Sequence, residues 1–314
     1  MILLTGAGGF IGSNILEKIS KWDEEIVIID NFLDNKKWDF ISKDSFKIHF
    51  NISDLENALK LDYSLIIHIG AITDTTEDDD EKLNLYNLEY SKKIWKYCVE
   101  NNAKLIYASS AATYGDGSNG FMDDHNTINN LKPLNKYGLS KHNFDVWCLS
   151  QENSPSSWYG LKFFNVYGKN ENNKGAMASV VHWGTRFIKE NGYINLFKSN
   201  DPKIKNGRQK RDFIFCNDIA SVVNFLKEKK VESGIYNIGS GNGRTFNALA
   251  NSIFNSLDIS PDIRYVDMPD KLIGKYQNFT EANTDKIIKS GFKGFTSLEE
   301  GVKKCVENFL IEEK

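Results

Sequence analysis

Short apolar runs alternate with amphipathic stretches through the first 115 residues of the chain. The apolar runs cover residues 2–5, 25–30, 46–50, 64–70 and 104–109, and helical patterns occupy about 9–21 and 84–101. Apolar runs of this length are typical of strands that are buried on both faces of a sheet. Strand–helix alternation predicts an α/β fold built on a doubly wound parallel sheet.

The pattern continues beyond residue 115 but is less regular after residue 168. We expect further strands at 159–165 and 213–215, a helix that starts near 217, and a terminal amphipathic helix over 297–310. Polar loops at 170–173 and 201–210 interrupt this part. The sequence contains no internal repeat and no low-complexity linker, so we expect any second domain to be interleaved with the first. The predicted larger domain comprises residues 1–168 with a returning segment at about 211–238, and a smaller α/β domain comprises 169–210 and 239–314.

Three glycines follow the first predicted strand at intervals of three residues: Gly6, Gly9 and Gly12. Glycines in this position allow a tight turn and let a pyrophosphate approach the backbone at the positive end of the next helix. A glycine triplet between a buried strand and a helix predicts a Rossmann-type dinucleotide site rather than a simple turn. The smaller domain is then expected to bind the substrate.

The adenosine end of this site has an ambiguous charge pattern. Asp30 ends the second strand, 18 residues after Gly12, where a carboxylate can bind ribose hydroxyls and favour NAD. Asn31, Lys36 and Lys37 follow at once, and a lysine can neutralise the 2′-phosphate of NADP.

Two more segments are candidates for cofactor contacts. Asp54 lies where an adenine amine can be met, although it can equally be a helix N-cap. Gly70, Ala71, Ile72 and Thr73 end a predicted strand and offer small residues over which a nicotinamide can lie.

Candidate chemistry comes from Ser110, Tyr137 and Lys141. On a helix, residues four apart share a face, so we expect the Lys141 ammonium to lie beside the Tyr137 phenol. A nearby cation lowers a phenol pKa of about 10 by roughly 1–3, towards the range of a general base. Ser110 follows the strand at 104–109, at the sheet edge where ligands bind. A Tyr–Lys pair alone is usually a solvated helix face, but with the glycines and Ser110 it predicts a site that holds a hydroxyl while its carbon gives up hydride.

Composition and charge exclude several classes. A net charge of −3 gives no reason to expect nucleic acid or an anionic membrane as partner. The longest apolar runs are of strand length and the N-terminus lacks a signal-peptide pattern, so we expect a cytoplasmic protein without membrane spans. The cysteines, at 98, 148, 216 and 305, form no C-x-x-C pair and the histidines are scattered, so neither disulfides nor an intrinsic metal is expected.

These residues together resemble the extended short-chain dehydrogenase/reductase family of nucleotide-sugar enzymes. The more specific segments are residues 109–115, 133–135, 164–168, 174–180 and 269–277. Within the family the chain is most similar to epimerases that act on ADP-linked heptoses. The segment that begins at Lys174 discriminates best, because other sugar epimerases usually lack a lysine there.

The resemblance implies a self-contained redox cycle. Hydride leaves C6 of the ADP-heptose, the resulting ketone turns over, and hydride returns to its other face, which supplies heptose for the lipopolysaccharide core. Tyr137 matches one proton-handling residue and Lys174 the other, although Lys174 can also be a phosphate-binding or surface lysine. The resemblance also implies one tightly bound NADP per subunit, with NAD as the alternative, and a homo-oligomer such as a pentamer.

Binding residues follow by position from the same resemblance. Cofactor contacts are expected from Phe10, Ile11, Asp30, Asn31, Lys37, Val166 and Lys174, with Asn87 nearby, and also from Tyr137 and Lys141. Substrate contacts are expected from Ser110, Asn165, Ala176, Trp183, Phe197, Arg211 and Tyr276. Two of these have ordinary alternatives, since Arg211 can pair with Asp212 at the surface and Tyr276 can be a core residue.

The chain also departs from the family. Its loop reads Gly6-Ala7-Gly8-Gly9 where Gly-Gly-Ala-Gly is more common. A substrate-pocket histidine of the family aligns with Trp183, and His182 lies one residue before that position. Residues 198–200 and a longer loop at 201–206 alter the nucleotide end of the pocket.

Other functions remain as alternatives. Another NAD(P)-dependent nucleotide-sugar epimerase or dehydrogenase is the first of them. A 4,6-dehydratase is disfavoured because Ala111 and Ala112 stand where an acidic pair is needed. A non-catalytic cofactor-binding regulator would not need Ser110, Tyr137, Lys141 and Lys174.

Overall fold

The structure, a computed structural model, describes residues 1–269 and 277–312. Its central element is a seven-stranded sheet made of β1 (Ile2–Thr5), β2 (Ile26–Asp30), β3 (Ile48–Asn51), β4 (Leu65–His68), β5 (Lys104–Ser110), β6 (Ser157–Phe163) and β10 (Gly234–Ile238). The strands lie in the order β10-β6-β5-β4-β1-β2-β3, and every pairing is parallel. The predicted doubly wound α/β fold is confirmed.

The order of the strands determines where a ligand can bind. From β1 the chain moves outward to β2 and β3 and then returns to β4 on the other side of β1. This reversal creates a crevice beyond the carboxyl ends of β1 and β4. The glycine turn follows β1 and the segment that begins at Gly70 follows β4, so both candidate cofactor segments lie at this crevice.

Helices connect and cover the strands. They are α1 (Phe10–Ile19), α2 (Leu55–Ala58), α3 (Asp80–Leu83), α4 (Tyr90–Glu100), α5 (Lys136–Leu149), α6 (Val180–Asn191), α7 (Cys216–Glu228), α8 (Phe246–Leu257), α9 (Asp285–Lys289) and α10 (Leu298–Glu312). The helix expected at 84–101 starts earlier, at Asp80, and Asn84–Glu89 form a π-helical turn within it. Such turns are frequent at functional sites. In the described part of the chain, no helix combines the length and apolarity that crossing a membrane requires.

Two small sheets form the remaining layer. β7 (Asn165–Tyr167) and β11 (Gly243–Thr245) flank β9 (Lys210–Phe215), and β8 (Ile194–Phe197) pairs with β12 (Ile263–Val266). The strand expected at 159–165 therefore ends at Phe163, and the chain changes sheet before Asn165.

The hydrophobic core has two parts. One surrounds the large sheet, and the other lies between α6, α8 and α10 and contains Ile188, Ile253 and Val302. β9 pairs in a small sheet, α7 packs on α1, and β10 joins the large sheet. The chain thus crosses between the two layers several times, and the proposed domain boundaries stay a prediction.

Candidate active site

The glycine turn is built by close packing. Gly6 has a φ of +72°, and a Cβ on it would lie 2.6 Å from the backbone nitrogen of Gly70. A Cβ on Gly12 would lie 1.9 Å from the carbonyl oxygen of Gly6. These two glycines let the turn approach both α1 and the end of β4.

The middle glycine of the triplet lies at the start of α1, where an anion can approach. Gly9 is the N-cap of α1, where no side chain caps the helix and the first turn contains no acidic residue. The first backbone N–H groups, at Phe10 and Ile11, therefore meet an approaching anion without a competing carboxylate. This geometry fits the pyrophosphate of a dinucleotide.

Asp30 joins the end of β2 to this turn. Its carboxylate accepts hydrogen bonds from the N–H groups of Gly8 (2.8 Å) and Asn31 (2.7 Å), and Lys37 Nζ lies 3.5 Å from it. A Cβ on Gly8 would lie 2.4 Å from the carbonyl oxygen of Lys37. The departure from the usual glycine pattern therefore accommodates the Lys37 segment, a function that sequence reasoning missed.

Asp54 does not act as a helix cap. It occupies the N-cap position of α2, but its exposed side chain makes no capping hydrogen bond. Its contact with an adenine stays a prediction, as does that of the exposed Asn31.

Asn87 organises the nicotinamide side of the crevice. This buried amide lies in the π-helical turn, where it accepts the N–H of Ile72 (2.8 Å) and donates to the Ile72 carbonyl (2.9 Å) and to Ser140 Oγ (2.9 Å). Ala71 and Ile72 are partly exposed and Thr73 is exposed. Asn87 thus fixes the segment after β4 against α5, and its polar atoms are occupied within the protein.

Tyr137 and Ser110 meet because α5 packs tightly on the turn after β5. The N-cap Asn135 accepts the N–H of Gly138 at 2.7 Å, and a Cβ on Gly138 would lie 2.8 Å from the Ala112 carbonyl oxygen. The Ser110 hydroxyl lies near enough to the Tyr137 phenol to act on its pKa. The structure therefore brings together this part of the predicted constellation.

The ionisation of this group differs from the expectation. Burial raises the pKa of Tyr137 above its ordinary value, the hydrogen bond from Ser110 opposes this rise, and the charge of Asp145 adds to it. Burial lowers the pKa of Lys141 to about 8, while Asp145 acts to raise it. The expectation that Lys141 lowers the pKa of Tyr137 towards neutrality is wrong, because removal from water dominates both groups.

An ion pair that the sequence analysis missed lies behind these residues. Lys162 Nζ, from β6, is 2.7 Å from the Asp145 carboxylate of α5, and both side chains are fully buried. Two signals were present in the sequence. Lys162 interrupts an apolar strand, and Asp145 lies eight residues after Tyr137, on the same helix face.

Lys174 lies at the glycine-turn end of the site. Its Nζ is 5.0 Å from the centre of the Phe10 ring, and burial lowers its pKa while the charge of Glu171 raises it. The buried Glu171 carboxylate accepts hydrogen bonds from the N–H groups of Gly168 and Ser179 and holds this loop in shape. Lys174 is partly buried and so is not a fully solvated lysine, and its role in proton transfer or phosphate binding stays a prediction.

Residues 169–174 cross from the small layer to the cofactor loops. Asn173 Nδ2 donates to the Lys36 carbonyl (2.9 Å) and to Asp39 Oδ2 (3.0 Å). Asn170 Nδ2 donates to Ser13 Oγ at 3.0 Å. We call residues 169–174 the strap. In sequence they look like an ordinary polar loop.

Apart from Ser110 on β5, the predicted substrate residues that the structure describes lie on the small layer. Asn165 begins β7 and is exposed, Val166 follows it, and Phe197 ends β8 partly buried. Trp183, on α6, has 38% of its surface exposed. Ala176 belongs to the 3₁₀ turn Asn172–Met177, and Tyr276 lies outside the described residues.

Arg211 is not a surface residue. It is buried on β9, with its guanidinium 5.8 Å from the centre of the Phe246 ring. Asp212 is also buried, and its carboxylate accepts hydrogen bonds from Ser240 and from the N–H groups of Gly241 and Ala282. The alternative of a surface ion pair between Arg211 and Asp212 is therefore wrong.

Over residues 1–269 and 277–312, no three His, Cys, Asp or Glu side chains are grouped in a way that would hold a metal ion.

Comparisons with known proteins agree with this architecture. The sequence pattern described as the NAD dependent epimerase/dehydratase family matches residues 2–239. A relative from Fusobacterium nucleatum, named ADP-L-glycero-D-manno-heptose-6-epimerase, is 43% identical, and the alignment covers 100% of this chain and 99% of the relative. A protein of the same name from Nitratidesulfovibrio vulgaris is 41% identical, with 99% and 98% covered.

Solved structures show the same fold. The crystal structure of Helicobacter pylori ADP-L-glycero-D-manno-heptose-6-epimerase superimposes with a TM-score of 0.80 at 26% identity, covering 98% of this chain and 96% of the other. The family resemblance seen in the sequence is confirmed. The chain belongs to the NAD dependent epimerase/dehydratase family, among the members named ADP-L-glycero-D-manno-heptose-6-epimerase.

Proposed function

We propose that this chain inverts C6 of ADP-D-glycero-β-D-manno-heptose to give ADP-L-glycero-β-D-manno-heptose, through transient oxidation to a 6-keto sugar. The observation that carries the proposal is the position of Ser110, Tyr137 and Lys141. They lie at the carboxyl edge of β5, beside the crevice that the glycine turn opens. Full-length relatives of that name support the substrate.

A nicotinamide dinucleotide, when bound, supplies the acceptor and donor of hydride. The uncapped start of α1 would hold its pyrophosphate, and residues 70–73 would lie beside its nicotinamide half. Asp30 would face the adenosine ribose. Asn87 supports this arrangement through the backbone of Ile72 rather than by direct contact.

Tyr137 and Ser110 would share the C6 oxygen of the sugar. Because burial raises the pKa of Tyr137, its phenol is protonated at neutral pH and suited to donate a hydrogen bond to a ketone oxygen. The Lys141 ammonium, fixed by the Ala108 carbonyl at 3.0 Å, stabilises the phenolate that forms when the proton moves.

Lys174 would handle the proton in the other orientation of the ketone. Lys174 belongs to the 3₁₀ turn Asn172–Met177, whereas Tyr137 is on α5, so the two residues would approach the sugar from different elements. Burial lowers the pKa of the Lys174 ammonium, which makes proton transfer to and from it easier. The rest of the sugar nucleotide is proposed to be bound by Asn165, Ala176, Trp183, Phe197, Arg211 and Tyr276.

NADP is the proposed cofactor, with NAD as the alternative. The Lys37 ammonium lies beside the Asp30 carboxylate, and two backbone N–H groups also bind that carboxylate. The negative charge that would repel a 2′-phosphate is thereby balanced. Release of the bound dinucleotide by denaturation, followed by mass spectrometry, identifies it and gives its amount per subunit.

The biological setting is proposed from the same relatives. The protein would act in the cytoplasm, and its product would supply heptose for the lipopolysaccharide core. It would act as a homo-oligomer such as a pentamer. Light scattering measures the number of subunits.

The function is tested with purified protein, ADP-D-glycero-β-D-manno-heptose and no added cofactor, by following the C6 configuration by NMR. Conversion is the expected result. UDP-N-acetylglucosamine serves as the parallel substrate, because a UDP-N-acetylglucosamine 4-epimerase from Methanobrevibacter ruminantium superimposes with a TM-score of 0.82 at 26% identity, covering 99% of this chain and 98% of that one. Turnover of the UDP-sugar alone would contradict the proposal and favour another epimerase.

A further inference from the structure

The buried pair of Asp145 and Lys162 calls for an explanation other than stability. Its side chains are 0% and 1% exposed, and the charged atoms are 2.7 Å apart. Removing two charges from water costs about as much as their attraction returns, so such pairs rarely stabilise a fold by themselves.

The pair connects the elements that carry the candidate chemistry. The Asp145 carboxylate also accepts hydrogen bonds from Ser109 Oγ (2.7 Å) and from the Tyr107 hydroxyl (3.0 Å), both on β5. Lys162 Nζ donates to Thr113 Oγ1 (2.6 Å), and that hydroxyl donates to the Ser110 carbonyl (2.8 Å). Ser110 is therefore held through its neighbours by both members of the pair.

The same carboxylate shares a helix face with the catalytic candidates. Tyr137, Lys141 and Asp145 are spaced four residues apart on α5, so they follow one another along one face. We propose that Asp145, held by Lys162, is a positioning residue for Tyr137 and Lys141: it fixes α5 against β5 and supplies the negative charge that faces the Lys141 ammonium. This inference rests on the proposed function, because it assigns a role within that reaction.

Few other charges act on this cluster. The facing titratable groups from other elements are Tyr107, Tyr114, His68 and His125, and those from α5 itself are His142 and Cys148. Burial raises the pKa of the two tyrosines and of the cysteine and lowers the pKa of the three histidines, so these groups are neutral near pH 7. Burial raises the pKa of Asp123, and the charge of Lys162 acts weakly against this rise.

Among the described residues, Asp145 is the carboxylate whose charge acts on Lys141. Burial lowers the pKa of Lys141 to about 8, close enough to neutrality that loss of Asp145 changes its charge under working conditions. Lys162 carries the opposite charge 2.7 Å from the Asp145 carboxylate and so partly offsets the charge of Asp145.

Three variants test the inference. Asp145→Asn removes the charge and keeps the shape, Lys162→Arg keeps the charge as a matched control, and the double variant Asp145→Asn/Lys162→Met leaves no unpaired buried charge. The pKa of Lys141 is read by NMR of protein labelled with ¹³C at the lysine Cε, with the signal assigned by its loss in Lys141→Met. We expect that pKa to fall by about one in Asp145→Asn, to fall less in the double variant, and to stay unchanged in Lys162→Arg.

The pH dependence of turnover gives the second readout. With a fall of about one from a wild-type pKa of about 8, the protonated fraction of Lys141 drops about fivefold at pH 8 and about twofold at pH 7. The activity of Asp145→Asn should fall by the same factors. A merely structural role would lower activity equally at all pH values.

The outcomes are separable from those of the proposed function. The NMR titration needs no substrate, whereas failure of the proposed function appears as wild-type protein that does not turn over the ADP-heptose. If Asp145→Asn does not fold, the double variant carries the test, because neutral replacement of a buried pair is often tolerated. A Lys141 pKa that is the same in wild type and in the variants that lack the Asp145 carboxylate would overturn the inference.

Discussion

The Lys141 ammonium donates a hydrogen bond to the carbonyl oxygen of Ala108 at 3.0 Å, which ties the middle of α5 to β5 just before Ser109 and Ser110. This contact sets the position of the helix on which Tyr137 lies, one turn earlier. It also holds a buried cation one helical turn after Tyr137. The proposed chemistry depends on this arrangement of helix and strand.

Tyr137→Phe should remove most turnover, by roughly 10²–10⁴-fold, because the phenol is the proton donor and acceptor for the C6 oxygen. Cofactor content should stay near normal, since the glycine turn and α1 are unchanged. Steady-state rates and the bound dinucleotide are measured together. Tyr159→Phe is the matched control, since it removes a buried phenol that bonds Val231 outside the site. Equal activity of the Tyr137 variant and wild type would show that another group moves the proton.

Lys174→Met should impair epimerisation more than oxidation of the sugar, because one orientation of the ketone loses its proton partner. Reduction of the bound nicotinamide, followed at its near-ultraviolet absorbance, reports the half-reaction, and NMR reports the inverted product. Lys303→Met, on the exposed part of α10, is the control. If both readouts fall by the same factor, Lys174 binds phosphate or cofactor instead.

Lys37→Met should weaken binding of NADP roughly tenfold and leave NAD binding nearly unchanged, because a charge-assisted hydrogen bond to the 2′-phosphate is lost. Affinities for the two dinucleotides are compared on protein stripped of its cofactor. The exposed Lys43, changed to Met, controls for the general loss of positive charge in this region. A parallel loss for both dinucleotides would place Lys37 away from the 2′ position.

Asn173→Ala should speed release of the dinucleotide. Its amide donates two hydrogen bonds from the strap, to Lys36 and Asp39, and each bond contributes about 0.5–1.5 kcal/mol to the stability of this contact. A roughly fivefold faster release, measured by displacement with labelled dinucleotide, is expected, with little change in kcat when cofactor is saturating. Asn172→Ala is the neighbouring control. An unchanged release rate would mean that the strap does not limit exit.

His68 should make the fold sensitive to acid. Burial, with the charge of Lys141 as a smaller cause, lowers its pKa from 6.5 to about 3, and the ring is hydrogen-bonded to Thr5 Oγ1 (2.6 Å) and Ser91 Oγ (2.9 Å). Between these pH values the unfolded chain binds a proton that the folded protein excludes. Stability is therefore complete above pH 6.5 and is lost as pH falls towards 3, by at most on the order of 5 kcal/mol.

Urea unfolding at several pH values between 4 and 7.5 measures this loss. His68→Gln, which does not titrate in that range, should show a flatter dependence of the unfolding free energy on pH. Identical slopes in the two proteins would mean that other groups cause the acid sensitivity.

The residues that the sequence could place are those whose function depends on local spacing. Gly6 and Gly12 follow a strand directly, and Tyr137 and Lys141 share a helix face, so the local sequence is enough to place each pair. Lys162 was visible as a charge in an apolar strand. Its partner follows from the register of two parallel strands, which places Lys162 opposite Ser109 and therefore near Asp145.

Long-range contacts explain what sequence reasoning missed. Asn173 reaches Lys36 across 137 positions of the chain, and Gly8 is required by a carbonyl 29 residues later. The pKa of Tyr137 was mispredicted for a similar reason. Spacing gives the neighbouring cation, but only the fold gives the extent of burial, and burial has the larger effect here.

The central claim is that one hydride leaves C6 and returns to the same carbon. Substrate that carries deuterium at C6 tests it most directly, with NMR and mass spectrometry of the product formed in ordinary water. The account predicts inverted product that retains the deuterium, with no exchange into solvent. Inversion with loss of the label to water would contradict it, because the proton at C6 would then be removed as an acid and not transferred as hydride.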